Sequence, residues 1–347
     1  MQTVLVTGGL GFLGAATVVQ LLKSNYHVII LDNLSNSNFE TLKHLETITQ
    51  KKIPCKILDM CHKSLLDAFF YFNKIDIVIH FAAFKSVPES VNNPLKYFEN
   101  NLISTMNLLS TMNKYNVSKL VFSSSCSVYG NTSGIVTEET PFGKAQSPYA
   151  LTKQMCEQMI NNTHHIDTII LRYFNPVGVH PSLLLGEDRL SPNLVPVIVR
   201  NKNVKVFGQD YDTKDGTPLR DYVHVMDIAD AHVCALERLK PNCLEIYNLG
   251  SGTGSTVLEV IEAFERVSGQ KSLYEIVGRR QGDADKIYAD TTLAQTLLNW
   301  KPKYSLDEMV LSYWRYYQRH LLQIRSLSSD VPMKVSDTNI TLLQEKQ

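Results

Sequence analysis

Within its first fourteen residues the chain reads V-L-V-T-G-G-L-G-F-L-G, an apolar strand, a glycine turn and a helix start. Few folds accept that order. Gly9, Gly11 and Gly14 satisfy G-x-G-x-x-G, and Gly8, Gly11 and Gly14 satisfy its three-spaced variant. Glycine permits the tight turn and lets backbone amides at the positive end of a helix approach a pyrophosphate. The pattern carries weight because it follows a strand and opens a helix. Asp32 ends the next apolar run, 18 residues after Gly14. A carboxylate there can bond both ribose hydroxyls of a dinucleotide and repels a 2′-phosphate, which favours NAD over NADP.

Downstream, apolar runs at 3–7, 27–32, 55–58, 75–81, 119–123 and 168–173 alternate with helical stretches at 12–23, 63–72, 94–115 and 149–161. Runs such as I-D-I-V-I-H-F are apolar on both faces, as strands of a parallel sheet covered by helices must be. The expected class is α/β, a doubly wound parallel sheet of Rossmann type with ligand across the strand carboxyl ends. After about residue 176 the texture turns to loops rich in Pro, Gly and Asn with short helices. We expect a dinucleotide-binding domain over 1–175, to which 221–245 returns as strand and helix. A smaller α/β substrate lobe is expected over 176–220 and 246–325, with a mobile tail at 326–347.

Composition narrows the function classes. At 347 residues and 44% hydrophobic content the chain can bury a large core. Lys plus Arg equal Asp plus Glu, so no basic field exists to hold nucleic acid or an anionic membrane. The six cysteines show no C-x-x-C spacing, so neither a zinc site nor a disulfide framework is indicated. The first strand leaves no room for a signal peptide, and no apolar run reaches membrane-spanning length. A cytoplasmic protein is the expectation.

The strand 119–123 ends in a serine run, S-S-S-C-S-V-Y-G, followed by Tyr149-x-x-x-Lys153. Four residues apart on a helix, Tyr149 and Lys153 share one face. A phenol titrates at about 10, and half-ionising it near neutrality requires about 4 kcal/mol of differential stabilisation. A neighbouring ammonium and a positively charged nicotinamide ring both favour the phenolate. Ser125 adds a hydroxyl able to bond the same reacting oxygen. These groups suit hydride transfer at a carbon bearing a hydroxyl. Asp59, ending K-I-L-D, is placed to meet adenine, and Lys85, in H-F-A-A-F-K-S-V, to reach phosphate.

Together with D-N-L-S-N-S, L-R-Y-F-N-P-V-G, Y-N-L-G-S-G-T-G and R-R-Q-G-D, these blocks resemble the extended short-chain dehydrogenase/reductases, and more narrowly their UDP-glucose 4-epimerase branch. The likeness runs from residue 2 to about residue 320. It implies that Tyr149 is the base, Lys153 tunes it and binds the nicotinamide ribose, and Ser125 shares the bond to the sugar oxygen. It implies that NAD is lined by Phe12, Leu13, Asp32, Asn33, Leu34, Ser35, Asn36 and Ser37, and by Asp59 and Met60. Phe81, Ala82, Ala83, Phe84, Lys85, Asn100 and Phe174 would complete that site. The UDP-sugar would meet Lys85, Ser125, Tyr149, Asn175, Asn193 and Leu194, then Lys205, Val206, Phe207, Arg220, Arg280, Asp283 and Ile287. Two arginines match the charge and geometry of a diphosphate. A homodimer through the helices near 100–115 and 149–161 is also implied.

Some positions depart from the pattern. Ser104 stands where glycine is usual, and G-E-D-R-L-S-P-N-L is short, with Asn193 alone where two asparagines are common. Ile287 sits at the position resembling a gate beside the C2 substituent, where tyrosine would restrict the pocket. The implied activity is NAD-dependent C4 epimerisation of UDP-glucose and UDP-galactose through a transient 4-ketose. The alternatives are UDP-N-acetylglucosamine or UDP-glucuronate 4-epimerisation, another nucleotide-sugar reaction on NAD, or a non-catalytic NAD-binding regulator. A 4,6-dehydratase needs an acid pair after the serine strand, where this chain has Cys126 and Ser127.

Overall fold

The computed structural model describes residues 1–201, 203–280 and 284–329. Seven parallel strands form the main sheet: β1 (Thr3–Thr7), β2 (His27–Asp32), β3 (Cys55–Ile57), β4 (Ile77–His80), β5 (Lys119–Ser125), β7 (Asp167–Tyr173) and β11 (Leu244–Leu249). Their order is β11-β7-β5-β4-β1-β2-β3, doubly wound outward from β1. The apolar runs explain the burial. Val4, Val6, Ile30 and Ile79 pack on one face, while Leu5, Ile29, Leu31 and Val78 pack on the other. The first face is covered by α1 (Phe12–Lys23), α2 (Glu40–Thr49) and α8 (Val225–Arg238). The second is covered by α3 (Lys63–Phe72), α5 (Pro94–Lys114) and α6 (Pro148–Asn161). The short α4 (Val87–Asn92) lies between β4 and α5.

Five short strands make a second sheet. β6 (Gly134–Val136), β14 (Lys286–Ala289), β10 (Leu219–His224) and β12 (Gly254–Thr256) lie side by side, and β8 (Asn175–Val177) also pairs with β10. β9 (Asn203–Phe207) and β13 (Leu273–Val277) pair separately. Around them α7 (Leu194–Arg200), α9 (Val257–Ser268) and α11 (Leu306–Ser329) enclose their own apolar cluster of Val195, Val206, Phe264 and Tyr313. α10 (Thr292–Leu297) packs Ala294 into the main core.

Several element boundaries differ from the sequence expectation. β5 runs on to Ser125, two residues past the expected end at Ser123. α2 was not anticipated: it buries only Leu42 and Leu45, too little apolar periodicity to stand out. The stretch expected to return over 221–245 divides. β10 stays in the second sheet, while α8 and β11 join the main one. The Asp221 carboxylate explains the first part, since it accepts from Ser251, Gly252 and Ala289 of that neighbourhood. Residues 326–329, expected as tail, continue α11, and 330–347 lie outside the described residues.

Candidate active site

The glycine turn builds the first wall. Gly8 has φ +68°, and an added Cβ would come within 2.8 Å of the Ala82 amide beyond β4. At Gly14 an added Cβ would collide with the Gly8 carbonyl, so only glycine lets α1 start this close to the turn. α1 begins at Phe12 after Gly11 with no side-chain cap, leaving first-turn amides of Phe12, Leu13 and Gly14 as an anion-binding end. That arrangement fits a pyrophosphate.

Asp32 closes β2 and is buried, accepting from the Leu10 and Leu34 amides at 3.0 Å each and from Ser37 Oγ at 2.7 Å. Asn33 Oδ1 accepts from the Ser35 amide at 3.0 Å, and Asn33 Nδ2 donates to Asp59 at 3.1 Å. Burial disfavours the Asp59 carboxylate, but bonds from the Cys61 amide and Asn33 outweigh it and leave its pKa lowered. The ends of β1, β2 and β3 thus meet in one polar strip, and Asn36 is exposed on the loop after β2. Met60 is buried in the core beneath, so its backbone rather than its side chain is available.

The β4 end carries Phe81, Ala82, Ala83, Phe84 and Lys85. Asn101 clasps Phe84, accepting from its amide at 2.8 Å and donating to its carbonyl, and Asn100 donates to Asn101. Lys85 Nζ lies 5.8 Å from the Phe12 ring centroid and 3.3 Å from Glu187 Oε1. Glu187, buried, also accepts from Ser191 and from Asn193 Nδ2 at 2.6 Å. A single carboxylate therefore joins the lysine expected at phosphate to the asparagine expected at the sugar nucleotide. Glu187 gave no signal of its link to Lys85 in the sequence, because the two lie 102 residues apart.

The chemical centre lies where β5 meets α6. Ser147 caps α6 by accepting from the Ala150 amide, and Pro148 occupies its first turn, which sets Tyr149 at the helix start. Ser125 lies close enough to the Tyr149 phenol to ease its ionisation, and its Oγ accepts from the Ser127 amide at 3.2 Å. Lys153 is buried, donates to the Ser123 carbonyl at 2.5 Å and lies 4.9 Å from the Phe122 ring centroid. In the chain by itself burial pushes the Tyr149 phenol up to about 12, against Ser125, which works the other way. Burial also pushes Lys153 down to about 8. Desolvation is the largest influence on Tyr149 in the chain without its cofactor.

The remaining positions spread along the second sheet and its neighbours. Phe174 and Ile287 are buried together with Val128 and Tyr129. Asn175 pairs in register with Tyr222, and Arg220 with Ile287. Burial pushes the Cys126 thiol up to about 12, although the Arg220 guanidinium lies close enough to work the other way. Leu194 opens α7. On β9, Lys205 is exposed and Val206 fully buried, so Val206 offers only its backbone. The Arg280 guanidinium stacks on Phe207 at 3.8 Å from the ring centroid, a pairing apart from the Tyr149 contacts. Asp283 lies outside the described residues. Among the described residues no cluster of His, Cys, Asp and Glu could hold a metal ion.

A family model described as "NAD dependent epimerase/dehydratase family" matches residues 4–250. The UDP-glucose 4-epimerase of Bacillus subtilis is 46% identical over 329 residues, covering 91% of this chain and 96% of that protein. A UDP-glucose 4-epimerase structure from Stenotrophomonas maltophila, with bound NAD and formylated UDP-arabinopyranose, superposes with TM-score 0.90 at 39% identity. It covers 93% of this chain and 100% of that one. The Bifidobacterium longum enzyme in complex with NAD+ and UDP gives TM-score 0.88 at 42% identity, covering 92% and 99%.

Proposed function

The chain belongs to the NAD dependent epimerase/dehydratase family, and from that premise we propose Tyr149, Lys153 and Ser125 as the groups that carry its chemistry. The activity is NAD-dependent epimerisation at C4 of a UDP-hexose, as in relatives 46% identical over nearly their whole length. The observation supporting the residue assignment is the meeting of Tyr149 and Ser125 at the β5 end, with Lys153 one helical turn along. Tyr149 takes the proton from the sugar 4-hydroxyl, Ser125 bonds the same oxygen, and Lys153 holds the site positive. NAD held there would supply hydride acceptance and return at C4, and its ring charge would favour the phenolate that burial alone disfavours. The glycine turn, Asp32, Asp59 and Lys85 hold the cofactor. Arg220 and Arg280 hold the diphosphate, with residues 176–220 and 246–325 as the substrate lobe. The 4-ketose turns within a loose hexose pocket to present its other face.

The test is to incubate the purified chain with UDP-galactose and follow the anomeric proton by NMR. Conversion to UDP-glucose without added or consumed NAD is expected; no conversion would overturn the reading. UDP-N-acetylglucosamine belongs in the same assay. Ile287 is buried in an apolar cluster and has no hydroxyl to guard a C2 substituent, which favours acceptance of the N-acetyl sugar. Its absence from turnover beside active UDP-glucose would remove that second reading. A cytoplasmic location and a place in galactose metabolism belong to the same proposal; no described helix is long and apolar enough to cross a membrane. Met106 on α5 and Leu151 and Met155 on α6 are exposed apolar residues, and they support a homodimer across these helices, which light scattering tests.

A further inference from the structure

α6 and β5 are joined by three successive contacts. Tyr149, Lys153 and Glu157 stand at i, i+4 and i+8 on one face of α6. They meet three consecutive residues of β5. The Tyr149 phenol lies near Ser125, Lys153 donates to the Ser123 carbonyl, and Glu157 accepts from Ser124 Oγ. Glu157 is the only one of the three with no part in the chemistry above. Its side chain is 0% exposed. Arg172 of β7, 4% exposed, donates to it through Nε at 3.1 Å and Nη2 at 2.7 Å. Arg172 Nη1 in turn donates to the Tyr129 hydroxyl at 3.0 Å. A buried, bidentate ion pair is a costly way to gain stability, and its best-attested use is to specify one arrangement.

We infer that Glu157 is a positioning residue: clamped by Arg172, its carboxylate holds Ser124 and thereby sets Ser125 opposite the Tyr149 phenol. This inference rests on the epimerase reading of the site, yet it concerns groups whose ionisation can be read without turnover. Ser125 is one peptide unit from Ser124, so a strand end free to turn about that unit moves its hydroxyl away from the phenol. The ionisable groups facing Tyr149 are Cys126, Cys156 and Tyr173, and the charge facing Lys153 comes from Glu157, with His80 on the opposite side.

The test uses Ser124→Ala, Glu157→Gln and the double variant in the full chain. Ser124→Ala leaves Arg172 and Glu157 paired, so it keeps the test alive if Glu157→Gln fails to fold. We expect kcat with UDP-galactose to fall about tenfold in Ser124→Ala, the kinetic equivalent of one hydrogen bond, with KM and NAD content unchanged. The double variant should be no slower than Glu157→Gln, because both changes cut the same link. Ultraviolet difference titration against Tyr149→Phe should place the phenol midpoint higher in Ser124→Ala, since Ser125 held close to the phenol lowers it. Wild-type kcat with an unmoved midpoint, or losses that multiply in the double variant, would overturn the inference. If the wild type turns over no UDP-sugar, the reading of function fails instead, and the titration still decides the positioning.

Discussion

At the scale of single residues, the chemistry rests on Tyr149. Tyr149→Phe removes one oxygen from a half-buried ring and leaves the glycine turn, Asp32 and Lys85 untouched. Turnover should drop by roughly 10²–10⁴, the range for loss of a general base, with NAD content of the purified protein unchanged. Near-normal turnover would show that another group takes the proton. Tyr149, Lys153, Ser125 and Asp32 were legible in the sequence because each sits at a fixed offset within one strand or helix. Glu187 and Glu157 were not, since their meaning depends on Lys85 and on Ser124 and Arg172 in other elements. Spacing reports a cationic neighbour for Tyr149, whereas the burial that pushes its phenol up comes from the surrounding fold.

At the scale of elements, α1 and its glycine turn show how little slack the cofactor wall has. A methyl at residue 14 meets the Gly8 carbonyl, and neither backbone atom can swing aside as a flexible side chain would. Gly14→Ala should therefore displace the helix start and lower retained NAD, measured by absorbance ratio of the purified protein, while far-ultraviolet circular dichroism stays near wild type. Full retention of NAD would show that the turn yields more than its contacts imply. The strands of the main sheet were readable as continuous apolar runs, a direct result of covering both faces. α2 escaped because a helix on the sheet's rim buries two leucines and leaves the rest to solvent. β10 reads like a main-sheet strand, and only the distant partners of Asp221 reveal its true sheet.

At the scale of the whole molecule, the core holds titratable groups that make folding depend on acidity. His80 is pushed down to about 3 and His180, His224 and His232 to about 4, burial being the first cause in each. All four are almost fully buried, and they bind neighbours from several elements, as in His80 between Thr7 and Thr105 and His232 against Tyr173. Between the ordinary histidine value of 6.5 and about 4 the unfolded chain binds protons that the folded chain refuses. Stability therefore falls as pH drops through that window. By about pH 5.5 the four together cost roughly 5 kcal/mol, a large share of a typical folding free energy. Asp227, raised to about 6 by burial, works in the opposite sense, as do Glu138 and Asp221, but at that pH one carboxyl near its midpoint offsets only a minor part. The urea midpoint of the purified protein should hold steady above about pH 7 and fall steeply toward pH 5. His232→Asn should flatten that fall, because it removes one of the four protonation sites. A midpoint indifferent to pH across this range would mean that the histidines accept protons inside the fold.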